Sequence, residues 1–124
     1  MELAPFFRAI VDSDNESVVI CDLDHTIIYM NPAAVKGFLK RGGAALVGKS
    51  VLDCHAPASV ESIKRIAAWF AESEENNSVF TSYNQKKNMD YYIKALRDET
   101  GKLIGYYERH CTRTRESGKP YDMN

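Results

Sequence analysis

A chain of 124 residues is the size of one domain and too short for two independent cores. Its 44% hydrophobic and 27% charged residues are the balance of a folded globular protein, not a disordered one. With 16 basic and 17 acidic residues the formal net charge is -1, and no long Lys or Arg run offers a surface for nucleic acid.

The chain opens with Leu3, Phe6, Phe7, Ile10 and Val11, one apolar stripe at helical spacing. The segment lacks a basic stretch before a continuous apolar core, so it does not read as a signal peptide. A polar turn over 12–16 follows. Residues 18–21 and 27–30 are β-branched runs separated only by 22–26, which predicts a hairpin. Asn31 can cap a helix whose first position suits Pro32, with Val35, Phe38 and Leu39 as its apolar face and Gly42 and Gly43 at its end. Residues 44–58 are irregular. Ser59 is the expected cap of a longer helix presenting Val60, Ile63, Ala67 and Phe70, widened by Ile66 and Trp69. Strands are predicted over 79–83, 89–96 and 102–112, with a turn at Asp98-Glu99-Thr100-Gly101 between the last two. Arg109, Arg113, Arg115 and Lys119 thicken the positive charge near the end, as in a solvated tail. Strands cluster at both ends around a helical block, which predicts an α+β fold, an antiparallel sheet with helices on one face.

Two motifs compete over Ser17 to Ala34, SVVICDLDHTIIYMNPAA. Its first half resembles the D-x-D-x-T nucleophile element of haloacid-dehalogenase-type phosphatases, with Asp22 and Asp24 as the acids. That chemistry needs a lysine on the phosphate and further carboxylates for Mg²⁺ after another apolar strand. Glu74 and Glu75 instead end a helix, and Asp98 and Glu99 sit in a turn, so phosphoaspartate chemistry is the remote alternative. Read whole, the segment resembles the opening hairpin and first helix of a PAS domain. Leu46-Val47-Gly48-Lys49-Ser50 is similar to a recurring turn of that family, and RDETGKLIGYYERHCT to its last hairpin. Cys54-His55-Ala56-Pro57-Ala58-Ser59 resembles a C-H-x-P-x-S element of a bacterial subgroup that sometimes accompanies hemerythrin-like domains, with Ala56 where Pro is commoner.

The resemblance implies a PAS-like five-stranded antiparallel sheet, with helices on one face closing a small cavity, preceded by an N-terminal amphipathic helix. The expected organisation is that helix over 1–16, the domain over 17–114 and a flexible tail over 115–124. The implied function is a sensory or signal-transduction module, not an enzyme, with no catalytic residue assigned. It would bind a small molecule or cofactor of unknown identity between sheet and helices and signal through protein association. The alternative is a ligand-free homodimerisation or adaptor domain. Leu3, Phe6, Phe7 and Ile10 are the expected dimer interface, and a separate signalling partner is also open.

Cys54-His55 and His110-Cys111 are thiol–imidazole pairs of the kind that suit Zn²⁺ or haem iron. Neighbours on a strand face opposite ways, so at most one of His110 and Cys111 can reach a given site, and no metal is assigned. The light-sensing branch's Asn-Cys-Arg motif is missing, because Cys54 precedes His. Candidate ligand contacts are therefore Cys54, His55, Tyr91, Tyr92, Tyr106 and Tyr107, the tyrosines offering phenol hydroxyls on neighbouring strands. Alternation sends one of each tyrosine pair inward, and Glu108 and Arg109 divide in the same way. Three separated cysteines imply no disulfide framework, and a reducing cytoplasm is expected.

Overall fold

The computed structural model describes residues 1–121. Helix α1, Ala4–Ser13, carries Pro5 in its first turn, where a missing N–H costs nothing. Strands β1, Val18–Asp22, and β2, Ile27–Met30, form the expected hairpin. Its turn is tied by Asp22, whose Oδ1 accepts the N–H groups of Asp24 at 2.9 Å and Thr26 at 3.0 Å. His25 takes a left-handed backbone there, with φ 65°.

Helix α2, Pro32–Gly37, is capped by Asn31, whose Oδ1 accepts from Ala34 N–H at 2.9 Å. The helix stops at Gly37, short of the expected end at Gly42, and Leu39–Arg41 forms a 3-10 turn instead; two more such turns, Gly43–Leu46 and Val51–Cys54, build much of the segment read as irregular. Helix α3, Pro57–Glu72, starts two residues before the expected Ser59 cap. Ala56 stands at its N-cap without a side-chain bond, and Pro57 occupies the first turn. The fixed φ of proline begins the helix without a capping oxygen.

Strands β3, Ser78–Asn84, β4, Met89–Arg97, and β5, Leu103–Thr112, complete one five-stranded sheet of order β2-β1-β5-β4-β3. Every neighbouring pair is antiparallel. The hairpin β1–β2 and the meander β3–β4–β5 are thus joined by pairing the first strand with the last. Gly105 lies opposite Asp22 at that seam. A Cβ at Gly105 would collide with the Cys21 carbonyl oxygen, so only glycine permits so close an approach.

Register decides the faces. Val19 and Cys21 lie beside Glu108 and Tyr106, which lie beside Ile93 and Ala95. This face carries the core, with Val19, Cys21, Ile93 and Tyr106 buried against Ile63 and Phe70 of α3. The other face presents Ile20, Tyr107, Lys94 and Arg109, again in register. Among the described residues no helix is long and apolar enough to cross a membrane. Residues 115–121 are exposed without helix or strand; the rest of the expected tail, 122–124, lies outside the described residues.

Asn31 is wholly buried and spends all four of its hydrogen-bonding positions. Its Oδ1 also accepts from Val18 N–H at 2.9 Å, while Nδ2 donates to the carbonyls of Val11 at 3.0 Å and Glu16 at 2.9 Å. One side chain thereby ties the end of α1, the start of β1 and the start of α2. The outer face adds Arg109, whose guanidinium meets the Asp14 carboxylate at 2.9 Å, and Tyr29, whose hydroxyl bonds Asp12.

Candidate functional site

Between the sheet and the helical layer lies a cavity of about 690 Å³, well inside the size range of small-molecule sites. The sheet supplies Tyr91, Ile93, Glu108 and His110, and α3 supplies Ser59, Ser62, Ile63 and Ile66. Phe38, from the end of α2, and His55, from the turn before α3, close the wall. Lys40, Arg41 and Lys87 also border it, and all three are exposed.

The polar groups in this wall are only partly spent. His55 Nδ1 lies 2.7 Å from the Val51 carbonyl oxygen, which can only accept, so Nδ1 carries the proton. That leaves Nε2 facing the Glu108 carboxyl, at 3.9 Å from Oε1. This separation allows an ion pair but exceeds hydrogen-bond reach. The Glu108 side chain is 16% exposed, and the carboxyl finds no hydrogen-bond partner among the described residues. Burial pushes its pKa up, against the opposing pull of His55, which favours the neutral acid. His110 stacks on Tyr91 with centroids 4.0 Å apart and planes at 26°. Burial, and then the charge of Lys87, push the His110 imidazole below its usual pKa, toward the neutral ring. The Tyr91 hydroxyl accepts from Asn84 Nδ2 at 2.9 Å and keeps its own proton to donate. Ser17 Oγ is buried without a partner among the described residues. Unmet hydrogen-bonding groups around a cavity need water or a ligand.

Of the six residues proposed from sequence, the structure gathers His55 and Tyr91 at the cavity, while Tyr92 borders it from a strand position in register with Arg109 of the outer face. The Tyr92 ring lies on that outer face, 5.5 Å from the ring of Phe80 and 5.4 Å from Lys94 Nζ. Cys54 packs against the core, and its carbonyl accepts from Arg41 at 3.2 Å. Tyr106 points inward but is only 1% exposed; its hydroxyl bonds His25 Nδ1 at 2.7 Å, inside the core. Burial raises the Tyr106 pKa, and burial with the nearby Glu108 raises that of Cys21 to about 12, so both stay neutral. Tyr107 lies on the outer face with Ile20 and Lys94. The two thiol–imidazole pairs are divided: His110 faces the cavity, while Cys111 contacts Arg109. Among the described residues no three His, Cys, Asp or Glu side chains come together as a metal site.

Ser17, Phe38, Ser62, Glu108 and His110 complete the site beyond those six. The alternation of Tyr106, Glu108 and His110 was visible in the sequence, but which alternate set faces inward was not. One known inward residue on β5 would have assigned the others.

The family model for the PAS fold matches residues 11–118. Among solved structures, the chain is similar to the PAS domain of BvgS from Bordetella pertussis at 16% identity and TM-score 0.64, covering 91% of this chain and 88% of that one. It is similar to a PAS domain from Colwellia psychrerythraea at 14% identity and TM-score 0.65, with 90% and 97% covered. It is also similar to the Aer2 receptor of Vibrio cholerae, described as a dual PAS-heme oxygen sensor, at 22% identity and TM-score 0.56, with 80% and 95% covered. No curated protein matches the chain.

Proposed function

We propose, from the premise that this chain belongs to the PAS fold family, that it is a sensory module that holds a small molecule between α3 and the sheet. Domains of this family are generally sensory and not catalytic, and we assign this chain no catalytic step. The observation that carries the reading is the cavity of about 690 Å³, whose wall holds Ser17, Glu108 and His110 with hydrogen-bonding capacity unspent. The competing use of Asp22 as a phosphate nucleophile is disfavoured, because its Oδ1 serves two backbone N–H groups in the hairpin turn.

The signal would leave through the N-terminal segment. Ser17 borders the cavity, its carbonyl accepts from His110 N–H at 3.3 Å, and Asn31 holds the neighbouring Glu16 carbonyl together with the last turn of α1. A ligand that engages Ser17 or His110 thereby biases the placement of α1, and with it the association of the protein with a second copy or a separate partner.

A specific observation also favours the second reading, a dimerisation or adaptor domain that needs no ligand. Leu3 at the N-cap of α1 and Phe6, Phe7 and Ile10 within it are 50% to 67% exposed, an apolar stripe the described residues leave uncovered. Native mass spectrometry of the purified protein separates the two. Extra mass on each subunit supports the sensory reading; a dimer of bare chains that takes up no small molecule in a metabolite screen overturns it in favour of the adaptor.

A further inference from the structure

The cavity does not end at Ile66. Along α3 it continues into an open groove of about 410 Å³, and the two share Ser62, Ile66 and Thr81 as common wall. Their linings differ in chemistry. The cavity gathers hydroxyl, imidazole and carboxyl groups, with Lys40, Arg41 and Lys87 alongside. Past Ile66 the groove is bordered by Trp69, Val79 and Phe80, with Arg65 as its one charged residue. Trp69, 39% exposed, is the aromatic side chain of this channel, because Phe80 is in register with Tyr92 and its ring packs there on the outer face. Charge selects the kind of head group. Three cationic side chains border the cavity against one carboxyl, and burial favours the neutral form of that carboxyl, so an acid is attracted and a base is not.

We propose that the cavity and the groove together hold one elongated organic acid, with its acidic head in the cavity and its apolar tail passing between Ile66 and Thr81 to lie over Trp69 and Val79. This rests on the small-molecule reading above and adds the class of ligand to it. The tail covers apolar surface that is otherwise wet, while the head meets the unspent groups of Ser17, Tyr91 and His110.

Trp69 is the sole tryptophan of the chain, so its emission reports the tail. The full chain is titrated with decanoate below its micelle concentration, with shorter acids down to butanoate, and with decylammonium, by calorimetry and fluorescence in parallel. The expected result is saturable binding of one decanoate per subunit with a change in Trp69 emission. Affinity rises by up to about fourfold for each further methylene buried. Decylammonium, with the same tail and the opposite charge, binds roughly tenfold or more weakly. Trp69→Ser removes this half-exposed groove side chain and weakens decanoate several-fold in calorimetry, while Phe80→Ser, on the outer face, binds decanoate as the parent does. Saturable heat with unchanged Trp69 emission, or a Trp69→Ser variant that binds decanoate in calorimetry as the parent does, overturns the tail path. Equal affinity for decylammonium overturns the acidic head. No decanoate binding at all overturns the whole inference, while the small-molecule reading stands or falls separately on the mass retained or taken up in native mass spectrometry.

Discussion

Asn31 shows how much one side chain can organise. It is wholly buried, accepts from Val18 and Ala34, and donates to Val11 and Glu16. Asn31→Asp keeps the size and both acceptor bonds but turns two donors toward carbonyl oxygens into an oxygen. Stranding two buried acceptors beside a carboxyl should cost about 3 kcal/mol, measured by urea unfolding. Glu108 and His110 give stability a pH dependence with two opposite limbs. The Glu108 pKa is raised above its ordinary 4.5, so the native state holds the proton more tightly than the unfolded chain. Its contribution is full below 4.5 and is lost as pH rises through the higher folded value. His110 is shifted below its ordinary 6.5, so its contribution is full above 6.5 and is lost as pH falls toward the lower folded value. Melting temperatures from about pH 4 to about pH 8 should show Glu108→Gln flattening the loss on the alkaline side and His110→Gln the loss on the acid side. The sequence supplied these residue types and their alternation. It left their face open, because a strand reads equally well with either set inward until its register with β1 is known.

At the scale of the element, the hairpin, the meander and α3 follow from local pattern, and their ends fall within a residue or two of expectation. The exception at the start of α3 has a local cause, since Pro57 competes with Ser59 as the start signal and its fixed φ begins the helix first. What local pattern does not reveal is the clasp between elements. Arg97, at the end of β4, donates to the carbonyls of Phe70 at 2.7 Å, Ser73 at 2.9 Å, Asn76 at 3.1 Å and Gly101 at 3.2 Å, and to Asn77 Oδ1 at 2.8 Å. It thus satisfies the last carbonyls of α3 and ties that helix end to the β4–β5 turn. Arg97→Met should cost about 2 kcal/mol in denaturant unfolding. Arg97→Lys should recover less than half of that, because an ammonium cannot reproduce the planar fork that reaches acceptors on both sides.

For the whole molecule, the helices and 3-10 turns cover one face of the sheet and enclose the cavity, while α1 is fastened at its C-terminal end by Asn31, Arg109 and Tyr29. Its apolar stripe remains outside, consistent with the proposal that a second copy covers it. Replacing Phe6 and Phe7 together by Ser should lower the mass seen by light scattering from dimer to monomer. The same change should leave the melting temperature of a dilute sample within a few degrees, because neither ring is buried in the chain itself. A dimer that persists in this variant would move the interface to the outer sheet face, where Tyr107 and Ile20 lie.

The sequence by itself determined the class of fold, the hairpin at Asp22, the meander with its Asp98 turn, and the amphipathic character of both long helices. Those depend on periodicity and on turn chemistry, which act over a few residues. Only the tertiary structure decided which polar groups share a cavity. Ser17, His55, Tyr91, Glu108 and His110 come together because β1 pairs with β5 and the turn before α3 folds back over that pair. That juxtaposition depends on register between strands more than 80 residues apart in sequence, as with Val19 opposite Glu108, and no local pattern encodes a register set by packing.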